Sequence, residues 1–183
     1  MDIALSPTEV ADLHARLVGA PLTVCEYDHV IRAPTLDTLF KGSADAVVIF
    51  YPAVEVGNLT VGHYCALLRH PDTRTFSFYD PLAYRPDEYK QFAYERQRLY
   101  PEQQNSLVRH LLSKALDGWT VDWNDHQHQS RRPDVATCGY HCVLRAMAAA
   151  LSNDEYDDAL NAVAHAMGTS DKFCDSLVLF LTA

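Results

Sequence analysis

The chain lacks the features that mark secreted and membrane proteins. Its five cysteines are an odd number and include no C-x-x-C pair, which argues against a disulfide framework and against secretion. It begins without a basic segment followed by an apolar one, so we expect no secretory signal. No apolar run approaches the roughly 18 residues of a membrane-spanning helix. We therefore predict a protein with reduced thiols and no membrane partner.

Clustered cations are also scarce. Fifteen Lys and Arg residues face 24 Asp and Glu residues, for a net charge of −9, and no five-residue run is basic. Phosphate groups are bound by clustered cations, so we do not expect nucleic acid as a tight partner. The chain has 183 residues, 48% of them hydrophobic, and no linker-like or repeated segment. This composition predicts one globular domain over residues 1–183.

Strand and helix patterns predict an α+β fold. Ser6-Pro7-Thr8-Glu9 is typical of a capping box that starts a helix, and Gly19 can end that helix. The apolar run 46–51 predicts a buried strand, and residues 62–69 and 74–80 predict a hairpin that turns at Pro71-Asp72. Further along, we predict a helix that is marked by apolar residues over 107–115 and ends near Gly118, a strand over 119–123, and helices over 138–151, 156–167 and 171–182. Strands followed by helices favour α+β.

The strongest chemical signal is Thr137-Cys138-Gly139 at the start of the predicted helix 138–151. Thr137 is a favoured N-cap residue. In the first helical turn, unpaired N–H groups and the helix dipole favour a thiolate, which makes Cys138 a candidate nucleophile. Gly139 has no side chain and would leave room for a substrate backbone. Alternatively, Cys138 is a small buried hydrophobic residue, as most free cysteines are.

A nucleophilic cysteine needs a base, and the predicted hairpin supplies one. With its turn centred on residues 71–72, His63 lies opposite Asp80 on the neighbouring strand, and a longer loop would shift the pairing by one or two residues and keep the two side chains neighbours. A carboxylate in that place can fix the imidazole tautomer and support its positive charge. The alternative is an ordinary cross-strand polar pair.

Acyl transfer also needs donors for the developing oxyanion. The polar segment 124–129 precedes the cysteine, and the Gln129 amide together with the Cys138 N–H would suffice, with Gln127 as a second candidate. The alternative is a solvated polar loop. Four tyrosines could line a peptide groove or simply pack on the surface: Tyr84, Tyr89, Tyr94 and Tyr100.

Zinc is a competing interpretation of the same region. Cys138 and Cys142, with His141, His63 or Cys174, could supply four ligands. A single C-x-x-x-C without a second spaced pair is a weak zinc signal, so we predict neither a metal nor another cofactor.

The ordered residues resemble a known family. Gly62-His63-Tyr64, Phe78-Tyr79-Asp80, Gln129 and Thr137-Cys138-Gly139 are similar to the motifs of the adenain-type cysteine proteases. These are maturation proteases of adenoviruses, large DNA viruses and Polinton-like elements, and they are related to the SUMO-specific proteases. The resemblance implies a central mixed sheet flanked by helices, with the nucleophile at a helix N-terminus.

By this resemblance, Cys138 is the nucleophile, His63 the general base and later the acid, Asp80 the residue that orients His63, and Gln129 an oxyanion donor. Two features depart from the family pattern. Tyr64 stands where the family often has Trp, and Gln129 lies farther from the cysteine than in many members.

The activity implied by the resemblance is that of a cysteine endopeptidase. Such an enzyme would process capsid or scaffold precursor polypeptides at small, Gly-containing sites, and we expect a monomer in the virion or the infected cell. Three alternatives stay open: an isopeptidase for ubiquitin-like modifiers, an acyltransferase on the same scaffold, and a non-catalytic virion structural or adaptor protein.

Overall fold

A five-stranded mixed sheet forms the centre of the protein. The computed structural model describes residues 4–41, 45–56, 59–88, 106–169 and 173–183. The strands lie side by side in chain order: β1 (Thr23–Glu26), β2 (Ala46–Val56), β3 (Leu59–His70), β4 (Thr75–Tyr79) and β5 (Thr120–Trp123). Strands β2, β3 and β4 are antiparallel, whereas β1 and β5 pair in parallel with β2 and β4. The predicted α+β class is confirmed.

Helices cover both faces of this sheet. They are α1 (Pro7–Val18), α2 (Tyr27–Arg32), a 3₁₀ helix (Leu36–Phe40), α3 (Ser106–Leu116), α4 (Cys138–Met147), α5 (Asn153–Ala166) and α6 (Asp175–Leu181). The predicted capping box is present, since the Ser6 hydroxyl accepts from Glu9 N–H and Glu9 accepts from Ser6 N–H. Within the described ranges, no helix is long and apolar enough to span a bilayer.

Alternating residues of β3 divide the core into two layers. Tyr64 and Ala66 pack with α1, α4 and α6, and Cys65 and Leu67 pack with α2, the 3₁₀ helix and α3. This alternation is the two-residue period of a strand that is covered on both faces. The N-terminal end of α4, where Cys138 lies, therefore belongs to the first layer.

Two predicted helices are shorter than expected. The helix that begins at Cys138 ends at Met147 rather than at residue 151, and the last helix begins at Asp175. Residues 171–172 lie outside the described residues, as do Tyr89, Tyr94 and Tyr100.

The turn of the β3–β4 hairpin is longer than predicted. It occupies residues 71–74, so His70 pairs with Thr75 across its base. Arg74 ends the turn in the left-handed region, with φ of 52°, and donates its N–H to the Pro71 carbonyl at 3.2 Å. Longer hairpin loops of this kind are usually built around a type I turn.

The longer turn changes the register at the other end of the hairpin. Ala66 pairs with Tyr79, so continuing this register places Cys65, not His63, opposite Asp80. The direct opposition of His63 and Asp80 predicted for the shorter turn is therefore off by two residues, which is within the shift expected for a longer loop. His63 is instead a diagonal neighbour of Asp80, a spacing that long side chains can bridge.

Candidate active site

His63 and Asp80 meet where β3 runs past the end of β4. Asp80 is the first residue after β4, and both of its carboxylate oxygens lie 2.9 Å from His63 Nε2. Only 3% of the His63 side chain and 1% of the Asp80 side chain is exposed. The predicted contact thus forms despite the shifted register, through the side chains of diagonal neighbours.

Asp80 is held from several directions. The Asn124 side chain accepts from the Asp80 N–H and donates to the Asp80 carbonyl, both at 2.8 Å. The Leu82 N–H donates to Asp80 Oδ1 at 2.8 Å. Sequence reasoning gave Asn124 no role of its own. Its position directly after the predicted strand 119–123 was the available signal, because that strand lies next to β4.

The Cys138 thiol is a hydrogen-bond partner of the His63 imidazole. Asp80 occupies Nε2, so Nδ1 is the ring nitrogen that meets the sulfur. Burial lowers the pKa of His63, but the charge and hydrogen bonds of Asp80 outweigh burial and raise this pKa to about 10. The imidazolium is therefore stable at neutral pH, directly beside the thiol.

Thr137 occupies the N-cap position of α4 without capping it. Its side chain makes no hydrogen bond to the first turn of the helix, so the predicted side-chain cap is wrong. The Thr137 hydroxyl instead donates to Asp175 Oδ1 in a short hydrogen bond. A buried carboxylate is a stronger acceptor than a neutral group, and it draws the hydroxyl away from the helix.

Gly139 packs against α1 and not against the site. A Cβ on Gly139 would lie 3.1 Å from Val10 Cγ2 and 3.4 Å from Leu5 Cβ. The prediction that Gly139 leaves room for a substrate backbone is therefore wrong. This glycine lets α1 and the segment before it approach α4 closely.

Residues 124–132 form a segment that we call the Gln129 loop. His128 N–H and Gln129 N–H both lie 2.9 Å from the Pro81 carbonyl oxygen, which fixes this loop to the residue after Asp80. Arg131 Nη2 adds a hydrogen bond to the Leu82 carbonyl at 3.1 Å. The Gln129 loop and the segment after β4 are thus joined side by side.

The Gln129 side chain lies at the cleft beside Cys138 and is 4% exposed. Its Oε1 has no hydrogen-bond partner among the described residues, which is unusual for a buried amide. A half-turn of the amide would present Nε2 at the same place. Gln127 instead donates to the Gln129 carbonyl at 2.6 Å, so Gln129 is the better placed of the two candidates.

The buried side chain of His128 anchors the Gln129 loop to the protein interior, a role that the sequence did not indicate. Its Nε2 lies 2.8 Å from Asp157 Oδ1, and its Nδ1 lies 3.2 Å from the Tyr79 hydroxyl. Burial is the main cause that lowers its pKa, which favours a neutral ring at neutral pH. The Cys174 N–H donates to the His128 carbonyl at 2.8 Å, which ties the loop to the start of α6.

Gly62 precedes His63 at a point where a side chain would not fit. A Cβ at Gly62 would lie 2.1 Å from the Tyr51 carbonyl oxygen and 2.8 Å from the Phe50 ring. The pairing of β2 with β3 becomes irregular nearby, between Pro52 and Val54. Glycine therefore allows the close approach of β3 to β2 that places His63.

Cys138, His63 and Gln129 open on a common cleft of about 380 Å³. One wall carries Leu82 and Tyr84, so Tyr84 lines the cleft, although surface packing was the favoured interpretation of the four tyrosines. Tyr64 is only 2% exposed and donates its hydroxyl to the Leu5 carbonyl at 2.8 Å. It thereby holds the N-terminal segment along the cleft.

The zinc alternative finds no support in this geometry. Among residues whose placement is described, no group of three or more His, Cys, Asp or Glu side chains is arranged to hold a metal ion. The histidines that it required have other partners, because His63 contacts Asp80 and His141 Nε2 lies 3.2 Å from Asp175 Oδ1.

No protein-family model matches the chain. It is 26% identical over 121 residues to an uncharacterized protein, V9, of Sputnik virophage. The match covers 66% of this chain and spans 65% of the length of that curated relative.

Solved structures with some similarity include two SUMO protease domains. The C-terminal Ulp1 protease domain, solved in complex with Smt3, the yeast ortholog of SUMO, is 12% identical with a TM-score of 0.42, covering 85% of this chain and 71% of that one. The Ulp1-like SUMO protease catalytic domain of Chaetomium thermophilum is 18% identical with a TM-score of 0.37, covering 80% and 58%. With TM-scores below 0.5, these likenesses identify no function, which has to be inferred from the residues of the chain itself.

Proposed function

We propose that the protein is a cysteine endopeptidase. Cys138 is the nucleophile, His63 is the general base and acid, Asp80 orients His63, and Gln129 with the Cys138 N–H stabilises the oxyanion. The observation that carries this proposal is the continuous hydrogen-bonded series from buried Asp80 through His63 to Cys138, at the start of a helix that opens on a cleft.

The first half of the reaction forms an acyl-enzyme. The raised pKa of His63 supplies an imidazolium beside Cys138, and in this mechanism Cys138 reacts as the thiolate of that pair. The thiolate of Cys138 attacks the carbonyl carbon of the scissile peptide bond, and the carbonyl oxygen becomes an oxyanion. When the tetrahedral intermediate collapses, the carbon–nitrogen bond breaks and His63 gives its proton to the leaving amine.

The second half of the reaction returns the enzyme to its starting state. Neutral His63 takes a proton from water, and the hydroxide attacks the acyl carbon. The carbon–sulfur bond then breaks, which releases a carboxylic acid product and the thiolate. An oxyanion donor typically contributes about 2.7–4 kcal/mol, so Gln129→Ala should retain roughly 10⁻² to 10⁻³ of the wild-type kcat.

The substrate in this proposal is an extended polypeptide, cut beside small residues such as glycine. Much of the cleft wall is apolar, including Leu5, Val61, Pro133 and Val135, and such walls can receive apolar side chains of an extended peptide. The virophage relative is consistent with a viral setting, in which capsid or scaffold precursors in the virion or infected cell would be the substrates.

Cleavage of a peptide library, followed by mass spectrometry, tests the proposal. Wild-type protein and Cys25→Ser should cut a common set of peptides, whereas Cys138→Ala should cut none. Cys25 is a half-buried thiol on β1 and serves as the matched control. Equal cleavage by Cys138→Ala, or no cleavage by any of the three proteins, would contradict the proposal.

Vinyl-sulfone derivatives of ubiquitin and SUMO separate an endopeptidase from an isopeptidase. An endopeptidase that acts on other polypeptides should remain unlabelled by both probes while still cutting library peptides. Rapid labelling of Cys138 by either probe would instead assign the same chemistry to a ubiquitin-like modifier.

A further inference from the structure

Asp175 connects the two segments that carry the proposed oxyanion donors. It is the first residue of α6, and 11% of its side chain is exposed. Its Oδ2 accepts from the Ser130 N–H at 2.8 Å, directly after Gln129. Its Oδ1 accepts a short hydrogen bond from the Thr137 hydroxyl, directly before Cys138.

The same carboxylate also receives the side chain of His141 on α4. His141 Nε2 lies 3.2 Å from Asp175 Oδ1, and the His141 ring is completely buried. Burial lowers the pKa of His141, so the ring is neutral at neutral pH and its Nε2–H is the donor. One carboxylate thus accepts from a backbone amide, a hydroxyl and an imidazole.

The charge on Asp175 suits it to this arrangement. Burial raises the pKa of Asp175, but the donors from His141, Thr137 and Ser130 together lower it below its usual value. A charged acceptor strengthens each of these hydrogen bonds. Residues 131–134, which join Ser130 to Thr137 along the chain, are exposed, whereas Asp175 contacts both segments from the protein interior.

We propose that Asp175 is a positioning residue that sets the separation between the Gln129 amide and the Cys138 N–H. This inference rests on the proposed function, because the separation matters for catalysis only if both groups bind one oxyanion. Catalysis by preorganised donors is sensitive to displacements of about 1 Å. Asp175 needs no contact with the substrate to have this effect.

A double-mutant cycle in kcat tests the proposal. Asp175→Asn keeps the shape of the side chain but cannot accept from all three donors, so kcat should fall about 10- to 100-fold with little change in KM. In a Gln129→Ala background the same change should have a much smaller effect, because the donor to be positioned is already gone. Equal fold-losses in the two backgrounds would indicate a merely structural role and would overturn the proposal.

Thr137 offers a second pair of variants, which stays informative if Asp175→Asn fails to fold. Thr137→Val removes the hydroxyl donor at nearly constant volume and should lower kcat, whereas Thr137→Ser retains the donor and should restore it. Asp154→Asn removes an exposed carboxylate from α5 and is the charge control. Equal kcat values for Thr137→Val and Thr137→Ser would contradict the proposal.

Amide hydrogen exchange tests the connection without relying on proteolysis. In Asp175→Asn, or in Thr137→Val if the former does not fold, exchange should accelerate in both residues 128–130 and residues 137–139, with β2 and β3 unchanged. Unchanged exchange in either segment would overturn the proposed positioning. If the wild-type protein cuts no peptide but exchange responds as expected, the endopeptidase proposal fails while the structural connection through Asp175 stands.

Discussion

At the scale of single residues, two His–Asp contacts in this protein have opposite electrostatic outcomes. Burial lowers the pKa of His63, yet Asp80 outweighs it and raises this pKa to about 10. Burial prevails at His141, whose pKa is lowered. Asp80 brings both carboxylate oxygens within 2.9 Å of His63 Nε2, whereas Asp175 brings one oxygen within 3.2 Å of His141 Nε2.

Removing the charge of Asp80 should lower the pKa of His63. In Asp80→Asn, burial would still disfavour the imidazolium while the opposing carboxylate would be lost. NMR titration of the His63 ring protons should show a pKa near 10 in the wild type and a clearly lower one in the variant. Asp157→Asn, which changes the carboxylate facing His128 instead, should leave the titration of His63 unchanged. The same His63 pKa in all three proteins would contradict this assignment.

Gly62 should tolerate no side chain. In Gly62→Ala, the new Cβ would lie 2.1 Å from the Tyr51 carbonyl oxygen, so β3 must move away from β2 and take His63 with it. Overpacking of this kind typically costs about 1–3 kcal/mol, measurable by urea denaturation. Peptidase activity per folded molecule should also fall. Val163→Ala, at an exposed position on α5 away from the cleft, is the control, and equal stability and activity of the two variants would refute the explanation.

At the scale of elements, a buried arginine ends the helix that carries Cys138. Arg145 is fully buried and donates to the carbonyls of Ala148 at 2.8 Å and Leu151 at 2.7 Å. Its guanidinium also lies 4.9 Å from the centre of the Tyr156 ring. A cation at a helix C-terminus satisfies carbonyls that lack intrahelical donors. These contacts of Arg145 hold residues 148–151 in a turn, which explains why α4 ends earlier than the sequence pattern predicted.

Arg145→Met should destabilise the protein and leave its chemistry intact. The substitution would remove the Arg145 donor of the Leu151 carbonyl, at about 1–3 kcal/mol for a buried group left unpaired, while the Ala148 carbonyl would keep the Leu151 N–H as a donor. Urea denaturation followed by circular dichroism should show the loss. Arg145 does not line the cleft, so kcat per folded molecule should be retained. Arg16→Met, at an exposed site on α1, should change stability little, and an equal effect of the two variants would contradict this account.

At the scale of the whole molecule, buried histidines make stability depend on pH in two directions. Burial is the largest cause that lowers the pKa values of His14, His70, His128 and His141. The unfolded chain then binds more protons than the folded protein just below pH 6.5, so these residues lower stability as the pH falls. His63 has a raised pKa, so its contribution is complete below 6.5 and is lost as the pH rises towards 10.

The free energy of unfolding should therefore be greatest near neutral pH. Urea midpoints measured from pH 5 to pH 9 should fall on both sides of the maximum. His14→Gln should flatten the acid limb, since His14 is 6% exposed and lies on α1 away from the cleft. His165→Gln changes an exposed histidine on α5 and is the control. A flat profile, or the same acid slope in the wild type and His14→Gln, would contradict this prediction.

Most of the helices and strands were predictable from the sequence. The contacts in the candidate site that depend on residues close together in the chain were predictable as well. The capping box at Ser6, strands β2 to β5 and the helices α1 and α3 to α6 follow from side-chain periodicity and local hydrogen bonding, whereas β1, α2 and the 3₁₀ helix were not predicted. The predicted hairpin also places His63 near Asp80. The observed pairing of β3 with β4 is shifted by two residues, and this shift leaves His63 and Asp80 as diagonal neighbours. Asn124, Arg145 and Asp175 were not assigned roles, since their decisive partners are not indicated by any local pattern.

The amino-acid sequence by itself determined the α+β class, most of the strand and helix order, and the candidates Cys138, His63, Asp80 and Gln129. The tertiary structure decided which donors share which carboxylate: it directs Asp80 to His63 and takes the Thr137 hydroxyl from the helix N-terminus to Asp175. The reason is physical. Periodicity and caps arise from neighbours within a few residues, whereas competition for a buried charge is settled only when distant segments pack around it.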